Sequence, residues 1–172
     1  MKGSHKLIVG IIGGHAHNTT PDALRLAEHT GAELGRRGIA VICGGESGIM
    51  EAACKGCQGA GGVTFGVMKG NRRESANRYV DYPLLTSMDL ASNNVIIWTA
   101  AGIIAFDGMY GTLTEMGLAL DIGRPLISFG KQRLIDVSKV KSESFAYYDT
   151  YDTDQAGAVI DHLLRMIEEQ NL

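Results

Sequence analysis

The sequence predicts an α/β fold: a parallel sheet with helices on both faces. Three observations carry this. Short β-branched runs alternate with helix-length segments. The strand-to-helix junctions are glycine-rich. The chain, at 172 residues with 45% hydrophobic residues, is one domain long and able to bury a full core. Strands alternating with helices through short turns favour parallel pairing, because each crossover lays its helix on the sheet.

Leu7–Gly13 reads as the first strand, ending in two glycines. Thr20-Pro21 opens a helix as N-cap and first-turn proline, with Leu24, Ala27, Ala32 and Leu34 as its apolar face and Gly38 as its stop. Ile39–Cys43 is a buried strand, followed by the turn Gly44-Gly45-Glu46-Ser47-Gly48 and a helix over 48–60. Val63–Met68 is a third strand, and 69–82 is polar loop or irregular edge. A helix covers much of Ser87–Ala101, Ile103–Phe106 is a strand, and the turn Asp107–Gly111 leads into a helix from Thr112 to about Ile122. Gly123-Arg124-Pro125 breaks it before the strand Leu126–Phe129. Phe145–Tyr148 is a last strand, and Asp154–Glu169 a closing amphipathic helix. No repeat or linker divides residues 1–172, so a single domain is expected.

Glycine is the unusual entry in the composition: 23 residues, nine of them between Gly44 and Gly70. Ligands of such sheets bind beyond the carboxyl ends of the strands. Three glycine-rich turns fall there: Gly13-Gly14, Gly44–Gly48 and Gly108–Gly111. At the latter two, the N–H groups that open the next helix lack intrahelical acceptors, and the helix dipole favours an anion. A phosphate-bearing small molecule is the economical ligand.

Charge and cysteine usage exclude other classes. The formal net charge is −3, and the densest basic spot, Lys69-Gly-Asn-Arg72-Arg73, is too short for a duplex footprint. No nucleic-acid partner is expected. No apolar run reaches membrane-spanning length, and Leu7–Ile12 running into glycines reads as a strand rather than a signal segment. Three cysteines, an odd number, without a secretory signal point to the cytoplasm.

The individual motifs each have two readings. Gly44–Gly48 is neither a Walker A loop nor a dinucleotide fingerprint; by itself it is equally a tight turn capped by Ser47. Thr112 and Glu115 have capping-box spacing, and Glu115 is also placed to meet a ribose or assist C–N cleavage beside the helix end. Cys54-x-x-Cys57 shares a helix face with Met50 and reads as core; no second pair completes a metal site, so no metal is expected. His15 follows the first strand at the crevice, where a solvated loop and a ligand contact are both open readings.

Two segments carry a family resemblance. Cys43-Gly-Gly-Glu-Ser-Gly-Ile-Met-Glu51, with Gly61-Gly62 and Gly66 beyond it, resembles the first motif of the LOG-like superfamily. Ile103-Ile-Ala-Phe-Asp-Gly-Met-Tyr-Gly111-Thr-Leu-Thr-Glu115 is similar to its second, PGG-x-GT-x-x-E. That superfamily includes LONELY GUY phosphoribohydrolases, DprA/Smf-related proteins and molybdenum cofactor carriers. The resemblance implies a Rossmann-like, doubly wound parallel sheet and a homodimer or homotetramer. It implies that Gly44, Gly45, Gly48, Gly111 and Thr112 hold phosphate and that Glu115 acts at the ribose. Together with their neighbours on the strand-end turns and the helix before the second motif, the candidate ligand site is Gly13, Gly14, His15, Gly44, Gly45, Glu46, Ser47, Gly48, Ser92, Asn93, Gly108, Met109, Tyr110, Gly111, Thr112 and Glu115. In an enzyme, Glu115 would be catalytic.

The departures favour a carrier. The enzymes have an arginine where this chain has Ser92, and serine cannot supply a cation or a bidentate clamp. Asp107 and Met109 replace the proline and a glycine of the second motif. Asp107 is expected to add negative charge near an anion site. Losing a charge-stabilising group costs roughly 10²–10³ in rate. The expectation is therefore a binding or carrier protein for a nucleotide or a molybdenum cofactor, with no cofactor needed for folding. The alternative is hydrolysis of the N-glycosidic bond of a nucleoside 5′-monophosphate.

Overall fold

The computed structural model describes residues 5–132 and 135–170. Seven parallel strands form one sheet in the order β4-β3-β2-β1-β5-β6-β7. They are β1 (Ile8–Ile12), β2 (Ala40–Cys43), β3 (Thr64–Met68), β4 (Tyr82–Leu85), β5 (Gly102–Ala105), β6 (Leu126–Phe129) and β7 (Phe145–Tyr148). The helices are α1 (Pro21–Arg36), α2 (Ile49–Gly59), α3 (Ser92–Thr99), α4 (Tyr110–Asp121) and α5 (Ala156–Glu169). The doubly wound α/β expectation holds.

Strand alternation builds two cores. Val9, Ile11, Val41, Ile104 and Phe106 face α1, α2 and α5, where they meet Leu26, Ala53 and Leu163. Ile12, Ile42, Val67, Ile103 and Ala105 face α3 and α4, where they meet Ile96, Ile97, Met116 and Ala119. Successive residues of a strand point to opposite faces, so near-continuous Ile/Val runs are what a sheet covered on both sides requires.

Several local expectations are met. Thr20 accepts a hydrogen bond from Ala23 N at 3.2 Å, capping α1 with Pro21 in its first turn. Cys43, Cys54 and Cys57 are buried, with the Sγ atoms of Cys43 and Cys54 3.5 Å apart. The hydrogen bond with Cys43, together with burial, pushes the Cys54 thiol far above its ordinary value, and desolvation pushes Cys57 up to about 11. These are neutral packing thiols.

Other expectations are corrected. β4 falls at the margin of what reads as loop; it pairs β3 in register Gly66↔Pro83 at the sheet edge. Proline has no N–H for a ladder, and an edge strand tolerates that. The helix before β5 begins only at Ser92, because Ser87 and Asp89 adopt φ of 53° and 48°. Of the expected α1 face, Ala27 and Leu34 are buried but Leu24 and Ala32 only half-buried; the buried stripe is Ala23, Leu26, Ala27, Thr30, Gly31, Leu34 and Gly35.

Candidate functional site

The strand order reverses between β1 and β5, because β1 pairs with β2 on one side and β5 on the other. The chains leaving these two strands diverge to opposite faces, and a crevice opens between them. A cleft of about 140 Å³ lies there, at the carboxyl ends of β1, β2, β3 and β5. The cleft brings together ten of the sequence-derived residues: Gly13, Gly14, His15, Gly44, Glu46, Asn93, Met109, Gly111, Thr112 and Glu115. Asn18, Met50, Lys69 and Leu90 join them. Lys69 directly follows β3, and the same strand-end rule that singled out the glycine turns applies to it.

Gly45, Ser47, Gly48, Ser92, Gly108 and Tyr110 do not line the cleft. Gly48 holds the architecture behind it. Its φ is 80°, and a β-carbon there would collide with Gly14 O and stand 2.6 Å from Ala16 N. Only glycine allows the first and second turns to pack this closely. Ile49 N then donates to Gly14 O at 3.0 Å, so α2 is opened by a neighbouring loop and not by Ser47. Asn77 pins the same turn: its backbone N donates to Gly45 O at 2.8 Å, and its Nδ2 donates to Gly45 O and Glu46 O at 3.1 and 3.0 Å. Nothing in local sequence marks Asn77, because its partners lie about thirty residues away.

Across the cleft, α4 starts at Tyr110 with Met109 as an extended N-cap that makes no side-chain cap bond. Thr112 is therefore the third helical residue, and the capping-box reading of Thr112 and Glu115 is not realised. A β-carbon at Gly108 would collide with the Thr112 side chain, which explains the tight entry. At Gly111 a β-carbon would meet no atom within 4 Å, and the first turn of α4 carries no acidic residue. Gly111, in the first turn of α4, thus lines the cleft with open space beside it, and the first N–H groups of a helix have no intrahelical acceptor.

Ser92 is buried, and its Oγ donates to Asp89 O at 2.6 Å; Asn93 lines the cleft. Asp107 is fully buried and does not line the cleft: Tyr151 Oη donates to its carboxylate at 2.9 Å, and Gly14 N to its backbone oxygen. Its carboxylate belongs to the scaffold under the turn, contrary to the expectation of charge at the cleft.

The electrostatics centre on four side chains. Lys69 Nζ lies 3.1 Å and His15 Nε2 3.5 Å from the same Glu46 oxygen, Oε2. Glu115 is half-buried on α4. Desolvation raises its carboxyl pKa to about 7, with Glu46 adding to the rise and Lys69 opposing it. A carboxyl poised near neutrality can give or take a proton at physiological pH. Among the described residues, no group of three or more His, Cys, Asp or Glu is placed to hold a metal ion. Nor is any helix among them long and apolar enough to cross a membrane.

Comparison with known proteins follows the same geometry. An uncharacterised protein of Archaeoglobus fulgidus is 29% identical over 132 residues, covering 77% of this chain and 85% of its own. The molybdenum cofactor carrier protein of Chlamydomonas reinhardtii is similar in structure with TM-score 0.78 and 26% identity, over 93% of this chain and 99% of that one. The molybdenum cofactor binding protein of Rippkaea orientalis gives 0.79 at 24% identity, over 94% and 99%. DNA processing protein A of Helicobacter pylori shares the fold at 0.65 and 16% identity, over 91% and 81%. The model of the SLOG cluster4 family matches residues 6–155, nearly the whole chain. The chain belongs to the SLOG cluster4 family, and its fold is the Rossmann-like one.

Proposed function

We propose that this protein binds a phosphate-bearing small molecule, a nucleotide or a molybdopterin-type cofactor, in the cleft and carries it without cleaving it. The observation that carries this reading is the open amino end of α4: unobstructed at Gly111, free of acidic residues in its first turn, and accompanied by Lys69 in the same cleft. N–H groups at a helix start suit an anion for both geometric and dipolar reasons. Likeness to two molybdenum cofactor proteins over almost their full lengths supports a carrier role.

The residues fit the phosphate end of such a ligand. The cleft of about 140 Å³ is smaller than the roughly 300 Å³ at which whole-ligand pockets begin. A phosphate fits within it, and the remaining rings extend over the rim, where exposed Leu90, Met109 and Tyr110 offer apolar surface. When bound, a molybdenum cofactor would supply its metal chemistry to a downstream acceptor; this chain's residues would hold and shield it. A homodimer or homotetramer in the cytoplasm belongs to the same reading.

Gly111→Asp separates the site from the fold. Aspartate in a first helical turn is neutral or favourable for the helix, so the melting temperature should hold. A carboxylate facing the anion should weaken AMP or inorganic phosphate binding by about a hundredfold, given several kcal/mol for apposed like charges. Titration calorimetry on both proteins measures this; equal affinities would refute the α4 site.

A second reading, N-glycosidic hydrolysis, is favoured by one observation: Glu115, with its pKa near 7, lines the cleft. Incubation with AMP decides between them. The carrier reading expects no free base. Release of base and ribose 5-phosphate at a rate lost in Glu115→Ala would establish the enzyme.

A further inference from the structure

The least expected group in the cleft is Glu46. A site that takes an anion has a carboxylate in its wall, and that carboxylate is not incidental. Asn77 fixes its backbone by donating from Nδ2 to the carbonyl oxygens of the two peptides that flank it, Gly45 O and Glu46 O. Its Oε2 receives Lys69 Nζ at 3.1 Å and stands 3.5 Å from His15 Nε2. Among the lining residues, Lys69 is the only side chain with a permanent positive charge. The cation that an incoming phosphate would seek is therefore already neutralised, inside the cleft, by the protein itself.

From this geometry, and resting on the phosphate-site reading above, we infer that Glu46 is a built-in surrogate anion that decides which ligands enter. It holds Lys69 and His15, and an entering ligand's anionic group displaces it from them. A carboxylate displaced from its cation in a half-buried cleft is costly unless it gains another partner. The site therefore selects ligands that pair an anionic group with a hydrogen-bond donor close by: a phosphate monoester whose hydroxyl or ring N–H groups meet Glu46 as the phosphate meets Lys69. Anions that only accept hydrogen bonds are discriminated against. Selectivity of this kind comes from a repulsive element as much as from an attractive one.

The test compares two probes by titration calorimetry: sulfate, which only accepts hydrogen bonds, and ribose 5-phosphate, which carries hydroxyl donors. The proteins are wild type, Glu46→Gln, Lys69→Met, the double variant, and Glu168→Gln as a charge control on the exposed end of α5. Wild type should favour ribose 5-phosphate over sulfate. Glu46→Gln is isosteric and should tighten sulfate by about tenfold, the effect of roughly one unlike pair freed in a half-aqueous site, and narrow the preference. The gain should vanish in the double variant, and Glu168→Gln should show none. If ribose 5-phosphate binds wild type but Glu46→Gln leaves sulfate unchanged or weaker, the surrogate-anion role is wrong while the phosphate site stands. If neither probe binds any variant, both fall together.

Discussion

Gly56→Ala is expected to destabilise the protein by about 3 kcal/mol, the upper part of the range for overpacking. Helix propensity alone predicts the opposite sign, a gain of about 1 kcal/mol for Gly to Ala in a helix interior. The structure decides between them. A β-carbon at Gly56, in the middle of α2, would collide with Glu28 O of α1 and stand 2.9 Å from Ala32 N. Opposite it, a β-carbon at Gly31 would collide with Ala53 O. The two helices meet backbone to backbone, and a backbone has no alternative rotamer to adopt. The added methyl can be accommodated only by moving α2 outward, and α2 carries Met50 at its start into the cleft. Gly59→Ala is the internal control: it is in the same helix, but its β-carbon would meet nothing within 4 Å. It should be neutral or stabilising by up to about 1 kcal/mol. Urea midpoints measure both, and equal shifts of the same sign would mean that the α1–α2 approach is not as close as described.

These glycines show where sequence reading succeeds and where it stops. Glycines following a β-branched run announce a strand-end turn, because the local pattern and the fold rule act on neighbouring residues; Gly13-Gly14, Gly44 and Gly111 were legible for that reason. The Thr20-Pro21 helix start was legible too, since a cap is a contact across three residues. Gly31 and Gly56 carry no such signal. Each is explained by a carbonyl on the other helix, and the apolar pattern of α1 locates only Ala27 and Leu34 of the buried stripe, because Thr30 and Gly31 occupy buried positions that look polar or neutral in sequence. Asn77 escaped for the same reason, its acceptors being supplied by a turn about thirty residues earlier. Asp107 was legible as a departure from the motif but not in its consequence. Its carboxylate turns to Tyr151, 44 residues on, and only the folded chain shows that it is removed from the cleft.

The Glu115 carboxyl should make stability depend on pH in the sense opposite to most acidic groups. Its pKa is raised from 4.5 to about 7 in the folded protein, chiefly by desolvation. The unfolded chain releases this proton near 4.5, while the folded chain keeps it until about 7. Between those values the folded state binds more protons, so stability falls as pH rises through the window and levels off above it. The upper limit of the loss is about 3 kcal/mol, from 1.36 kcal/mol per pKa unit; solvent reaching the half-buried carboxyl reduces it. Glu115→Gln keeps the shape and removes the titration. The difference between the two stability curves, measured by urea unfolding from pH 4.5 to 8, cancels every other titrating group that the substitution leaves unaltered. It should be small at the acid end and grow in the variant's favour toward pH 7. Glu46→Gln should shrink the window, because the neighbouring carboxylate helps raise the pKa, and Lys69→Met should widen it, because the ammonium opposes the rise. Parallel curves for wild type and Glu115→Gln would mean that the carboxyl ionises in its ordinary range. It would then stand as a second fixed negative charge beside Glu46, and an anion could reach α4 only against both. On the proposed reading, a protonated Glu115 would leave room in this cleft for phosphate, and the pH profile tests that condition without any ligand at all.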